Sequence, residues 1–130
     1  MKYLIDTSEL INFLKGKRET VAEFKQMIPD GIGISVIAIA EYFYGIELYH
    51  RPEMEKKLLL DFLNASDAVV LDVNQVIAEK YGQIQGYLSQ KGRKGEGFDL
   101  LIAAAAIVNN LILYTGNHKH FDQIPNLSLY

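Results

Sequence analysis

Apolar residues arrive along this chain in two kinds of run that alternate. Short runs of three or four residues, Lys2 to Ile5, Ile32-Gly33-Ile34, Ala68-Val69-Val70-Leu71 and Leu111-Ile112-Leu113-Tyr114, have the length and β-branched character of buried strands. Between them, longer stretches space their apolar positions three and four apart. Leu10, Ile11, Phe13 and Leu14 predict a helix ending at Gly16, and Val21, Phe24, Met27 and Ile28 predict a second from about Arg18 to Ile28, stopped by Pro29-Asp30-Gly31. Further helices are predicted over Val36 to Tyr49 with Ser35 as cap, from Pro52 to about Asn64, over Val73 to Gln90, and from Asp99 into the Leu111 strand. Gly92 to Gly97 reads as a charged glycine-rich loop, Thr115 opens a short polar turn, and a last strand falls around Leu127 to Tyr130. Strands separated by helices predict one three-layer α/β domain over residues 1–130, with a mainly parallel sheet and right-handed crossovers.

Three carboxylates break this pattern. Asp99 heads nine consecutive apolar residues, Leu100 to Val108, and a helix apolar on all sides is buried. Capping is its ordinary role, because Asp accepts hydrogen bonds from the free amides of a first turn. Glu41 sits in Ile-Ala-Ile-Ala-Glu-Tyr-Phe-Tyr-Gly, where an exposed helix edge is the ordinary reading. Asp6 ends the first strand, and Asp6-Thr7-Ser8-Glu9 has the form of a capping box. In an open α/β sheet, ligands bind beyond the carboxyl ends of strands where strand order reverses, and Asp6 and Thr115 occupy such ends. Were the three acids brought together, each pair about 4 Å apart would repel by roughly 4 kcal/mol at an effective dielectric of about 20. A divalent cation removes that cost. Oxygen donors without His or Cys select Mg²⁺ or Mn²⁺ over Zn²⁺, and such ions suit phosphodiester hydrolysis.

Composition narrows the alternatives. The chain has no cysteine, which excludes disulfide scaffolds, thiolate zinc sites and cysteine nucleophiles and agrees with a reducing cytoplasm. Asp6 interrupts the N-terminal apolar run too early for a signal peptide, and no run approaches the roughly 18 residues of a membrane span, so a soluble cytoplasmic protein is expected. Thirteen basic against sixteen acidic residues leave a net charge of −3, so any nucleic-acid contact must be local. Basic residues cluster at Lys15, Lys17 and Arg18, at Lys91, Arg93 and Lys94, and in His118-Lys119-His120. A solvated surface is the ordinary role of each cluster, and of His118 and His120.

Four segments together carry a family resemblance: Tyr3-Leu-Ile-Asp-Thr-Ser8, Ile34-Ser-Val-Ile-Ala-Ile-Ala-Glu-Tyr-Phe-Tyr-Gly45, Phe98-Asp-Leu-Leu-Ile-Ala-Ala104, and Tyr114-Thr-Gly-Asn-His-Lys-His-Phe121 followed by Ile124-Pro125. On these the chain resembles the PIN domains, specifically the VapC-type toxin ribonucleases of toxin–antitoxin modules, over essentially its whole length. The resemblance implies a three-layer α/β/α PIN-like fold and a metal-dependent endoribonuclease acting on structured RNA. It places Asp6, Glu41 and Asp99 as catalytic and metal-binding residues for Mg²⁺ or Mn²⁺, with Ser8 and Thr115 in support. The family's fourth acidic position falls at Asn117, which leaves open whether one or two ions are held. Glu96 adds charge nearby, although a solvated loop glutamate is its ordinary reading. Arg93 and Lys94 are expected to contact RNA phosphates because they precede Asp99 in the chain.

The resemblance also implies a cognate VapB-type antitoxin and a homodimer. The antitoxin tail would lie over apolar surface supplied by Leu10, Phe13, Leu14, Phe24, Tyr42, Phe43 and Ile46, residues for which core packing is the alternative. Two other readings compete. A catalytically silent PIN-like binding module draws support from Asn117. A haloacid-dehalogenase-like phosphatase needs a second Asp two residues after the first, where this chain has Ser8.

Overall fold

The structure is a computed structural model that describes residues 1–48 and 51–130. Its elements run β1 (Tyr3–Ile5), α1 (Thr7–Leu14), α2 (Arg18–Met27), a 3-10 turn (Ile28–Asp30), β2 (Ile32–Ser35), α3 (Val36–Ile46), α4 (Pro52–Ser66) and β3 (Val69–Leu71). There follow α5 (Gln75–Gln90), α6 (Gly97–Val108), β4 (Ile112–Tyr114), α7 (His118–Phe121) and β5 (Ser128–Leu129). The expected end of the third helix at Tyr49 lies outside the described residues.

The five strands among the described residues are all parallel, in the order β3-β2-β1-β4-β5. Successive residues of a strand point to opposite faces, and Leu4 and Ile5 of the central strand are both fully buried. Both faces of the sheet are therefore covered, giving the three-layer α/β/α domain, and the unbroken apolar strands of the sequence are what such double burial requires. From β1 the chain first adds β2 and β3 on one side, then returns to lay β4 and β5 on the other. The reversal falls between β1 and β4, where Ile5 is paired with Tyr114.

Helix boundaries follow local chemistry. Ser35 caps α3 as expected, its hydroxyl accepting from Ile37 N at 3.1 Å. Asn74 caps α5, accepting from Ile77 N at 2.9 Å, so that helix starts at Gln75 rather than Val73. The expected polar turn after Thr115 instead contains α7, held by Phe121, whose ring is buried. Helix α6 is buried through Ile102 to Ala106, and its four alanines let the neighbouring α5 and the sheet approach closely.

Most of the apolar surplus near the amino terminus goes into the core. Leu10, Phe24, Tyr42 and Ile46 are buried, and Phe13, Leu14 and Phe43 are half-buried against them. The Phe13 and Phe24 rings stack at 4.4 Å, with Phe62 beside Phe13 at 4.8 Å, which ties α1 and α2 to α4. The large exposed side chains of this region are Tyr44 and Leu48, which the hydrophobic pattern did not distinguish.

Candidate active site

Asp6 emerges from the carboxyl end of β1 at the point where strand order reverses, and it is 3% exposed. Its backbone N donates to Tyr114 O at 2.9 Å, extending the β1–β4 ladder by one rung. Its side chain has three donors: Thr7 N to Oδ1 at 2.8 Å, Thr115 Oγ1 to Oδ2 at 2.7 Å, and Ser8 Oγ to Oδ2 at 3.5 Å. Thr115 is itself buried, and its hydroxyl accepts from Asn117 N at 3.0 Å. Asn117 is thus joined to Asp6 through Thr115 by its backbone, while its exposed side chain makes no capping bond to α7.

Glu41 projects from α3, half-buried, and its Oε1 accepts from Thr7 Oγ1 at 2.6 Å. Thr7 therefore bridges two of the three acids, donating its amide to Asp6 and its hydroxyl to Glu41. Sequence reading singled out Ser8 and passed over Thr7, although both belong to the same Asp-Thr-Ser motif.

Asp99 is the third residue of α6, and the cap belongs to Glu96, whose carboxylate accepts from Asp99 N at 3.1 Å. The capping role expected of Asp99 is therefore overturned, because the helix begins earlier, at Gly97. Relieved of that duty, the Asp99 carboxylate meets His120 instead, Oδ2 to Nδ1 at 3.1 Å. The surface role expected of His120 is corrected likewise: the ring is exposed, yet the turn of α7 carries it onto a site carboxylate. His118 lies farther along the chain's edge, with Nε2 2.9 Å from Tyr130 O.

The three acids share one electrostatic field. Burial raises the pKa of each above the ordinary carboxylate value. For Asp6, the bonds from Thr115, Thr7 and Ser8 oppose that rise. For Glu41, the Thr7 bond opposes it, while the charges of Asp99, Asp6 and Glu96 push further upward. For Asp99, the Asp6 charge adds to burial and the His120 bond works against it. Glu96, expected to be a plain solvated glutamate, is exposed but adds to the negative field at both neighbours.

Lysine and arginine do not relieve this field. Among the described residues the ion pairs are Lys2–Asp30, Lys57–Asp61 and His120–Asp99. Desolvated oxygen donors, of which Asp6 raises the pKa of both Glu41 and Asp99, are of the chemical type that suits a hard divalent cation. Among the described residues no group of three His, Cys, Asp or Glu side chains is drawn together closely enough to hold a cation as they stand. Each site carboxylate is turned to a hydroxyl, an amide or an imidazole.

A fourth acid lies beneath the site and escaped sequence reading. Glu9 does not close the expected capping box, since the Asp6 amide is already spent on Tyr114 O. It is buried, its Oε2 accepts from Thr20 Oγ1 at 3.4 Å, and it also bonds the Tyr114 phenol. A Cβ at Gly116 would stand 2.8 Å from Glu9 Oε1, so a residue without a side chain lets the turn after Thr115 close over this carboxylate. Burial, and next the Glu9 charge, push the Tyr114 phenol up to about 12. A phenol held above its unfolded value of about 10 favours the fold below that pH, and this contribution is lost as pH rises through about 12. Glu9→Gln is expected to bring Tyr114 ionisation down towards the ordinary phenol value. Spectrophotometric titration of the tyrosines checks it, and an unchanged profile would refute the coupling.

Of the expected RNA contacts, Lys94 borders a cavity beside Asp99, whereas the Arg93 Nη1 donates to Gln123 Oε1 at 2.7 Å.

Comparison with known proteins identifies the family. The family model for the PIN domain matches residues 3–127. Over 127 residues the chain is 31% identical to the tRNA(fMet)-specific endonuclease VapC of Shigella flexneri, covering 98% of this chain and 95% of that one. It is 31% identical over 131 residues to Ribonuclease VapC2 of Rickettsia felis, covering 99% and 96%. Among solved structures, VapBC2 of Rickettsia felis bound to a promoter DNA fragment superposes with a TM-score of 0.91 at 32% identity, over 100% of this chain and 98% of that one. DNA-bound VapBC of Salmonella typhimurium gives 0.90 at 30% identity, over 100% and 97%. With the family model matched over residues 3–127 and relatives about 30% identical over nearly the whole chain, the chain belongs to the PIN domain family and, within it, to the VapC ribonucleases.

Proposed function

We propose that this protein is the toxin of a VapBC-type pair: an endoribonuclease that hydrolyses phosphodiester bonds in structured RNA, with Mg²⁺ or Mn²⁺ held by Asp6, Glu41 and Asp99. The observation that carries the reading is the set of three desolvated carboxylates at the strand-order reversal, with Asp6 raising the pKa of both Glu41 and Asp99, and with one histidine and, among the described residues, no lysine or arginine paired to them. The names of the relatives support ribonuclease activity, and the VapBC complexes among the similar structures support an antitoxin partner.

When bound, the cation supplies charge for the phosphoryl oxygens and acidifies water for in-line attack. The chain's own residues position what it needs. Thr7, Ser8 and Thr115 orient the two Asp6 oxygens, Thr7 also orients Glu41, and His120 orients Asp99. Asn117 adds an amide at the rim beside Thr115. Unpaired RNA loops are the accessible substrate, because their backbone can enter the site. Arg93 and Lys94 are proposed RNA contacts, Lys94 directly and Arg93 through the loop that it pins. The antitoxin is proposed to dock on the apolar cleft between α1, α3 and α4, lined by Ile11, Leu14, Tyr42 and Ile46. A homodimer working in the cytoplasm completes the reading, and no helix among the described residues is long and apolar enough to cross a membrane.

The test is RNA cleavage by protein purified free of its partner. Cleavage is expected with Mg²⁺ or Mn²⁺ and is lost with chelator. Cleavage indifferent to chelator would overturn the metal assignment, and tight RNA binding without cleavage would favour a silent binding module.

A further inference from the structure

A cavity of about 250 Å³ opens between the Gly92–Gly97 loop and the segment containing α7, and Asp99 forms part of its wall. Its lining is chemically mixed. Leu88 and Ile124, both buried, give it an apolar floor. Glu96, Asp99 and His120, which belong to the carboxylate site, form part of its lining. Lys94 from the loop and Lys119 from α7 also line it, and among the described residues neither has an ion-pair partner.

The two walls are held to each other and to the core. The Arg93 guanidinium donates to Gln123 Oε1 across them at 2.7 Å, which leaves the Gln123 amide NH₂ as a donor at the cavity wall. Gly95 lies so close to the α6 core that a Cβ there would meet Leu100 Cδ1 at 2.5 Å, so the loop is seated flat rather than lifted off the cavity.

The chemistry of this cavity selects its ligand. An apolar ligand would leave two lysines unmatched, and a compact anion alone would leave the floor unused. A flat apolar ring with a polar edge, carrying one phosphate group on a short tether, satisfies floor, amide and lysines together. The volume lies just under the roughly 300 Å³ at which cavities for larger ligands begin, which suits one nucleotide rather than several. We infer that this cavity is the subsite for the nucleotide adjoining the scissile phosphodiester, with its base on Leu88 and Ile124, its edge read by Gln123, and its phosphate on Lys94 and Lys119. The inference rests on the ribonuclease reading and adds to it a place where base identity is read. An unpaired base has its ring face and edge available for this, as a stacked one does not.

The experiment has two arms. In the first, 5′-AMP, 5′-GMP, 5′-CMP and 5′-UMP are titrated in chelator into protein with labelled Leu and Ile methyl groups. Shifts at Leu88 and Ile124 are expected, and Lys119→Gln should weaken them about five- to tenfold, the scale of one lost charge-assisted contact. In the second arm, RNA cleavage by Lys119→Gln should show KM raised by a similar factor, kcat within about twofold, and a log–log salt slope smaller by about 0.7. Gln123→Ala should relax the base preference at the cut site. Both side chains are exposed, so the folded state is not at risk. Absence of the methyl shifts, or unchanged KM, salt slope and cut-site preference in both variants, overturns the subsite while leaving the nuclease standing. Nucleotide binding at these methyls by a protein that cuts no RNA supports the cavity's chemistry and overturns the ribonuclease reading instead.

Discussion

Asp99→Asn is expected to lower RNA cleavage by about 10²- to 10³-fold or more, the scale at which an electrostatic group in an active site is lost, while making the metal-free protein more resistant to heat. Both effects come from one charge. Asp99 is raised above its ordinary value of 3.8 by burial and then by Asp6, so its ionised form costs the folded state free energy. The stability that the protonated form contributes is fully present below the unfolded value and is lost as pH rises through the raised folded one. Near neutral pH the wild-type protein therefore carries this cost in full, and the amide removes it without removing an oxygen that can face His120. The same sign predicts that Mg²⁺ raises the melting temperature of the wild type more near neutral pH than in mild acid, and raises that of the variant less. Thermal melts with and without chelator, alongside single-turnover cleavage, measure both. Cleavage within about tenfold of wild type would end the assignment of Asp99 to the site.

At Asp6 the same two properties separate by choice of substitution. Asp6→Ala should abolish cleavage and also destabilise the fold by about 2–4 kcal/mol, combining loss of a helix cap with a buried hydroxyl left without its acceptor. Both costs are visible in the structure, where the carboxylate accepts from Thr7 N and from the buried Thr115 hydroxyl. Asp6→Asn keeps an oxygen for the Thr7 amide, and a rotated Thr115 hydroxyl can accept from the new NH₂. It should be equally inactive yet lose only a small part of that stability. Denaturant unfolding beside cleavage assays distinguishes the two, and equal destabilisation by both variants would show that the negative charge itself holds this junction.

These expectations draw unequally on sequence and structure. The strands and most helices were legible because double burial leaves an unbroken apolar signature in β1, β2 and β4, and because amphipathic helices keep a 3.6-residue period. Asp6, Glu41 and Asp99 were legible for the converse reason, as charges in segments that otherwise exclude them. Local polar chemistry was legible only in part. Ser35 reads as a cap and is one, whereas capping, the ordinary reading of Asp99, falls to Glu96. Cap preference depends on where the helix begins, and a glycine at the first position hid that boundary. The α7 turn was too short and polar to show a period, and with it went the contact of His120 with Asp99.

The sequence alone determined the class of fold and which carboxylates stand in otherwise apolar segments, because both follow from local burial patterns. Tertiary structure alone decided what those carboxylates meet. Thr7 joins Asp6 to Glu41, Thr115 closes onto Asp6 from 109 residues away, and Glu9 leaves its expected capping box for a buried place under Gly116. Each of these depends on the crossover that lays β4 against β1, and no periodicity within a segment encodes which strand end will be its neighbour.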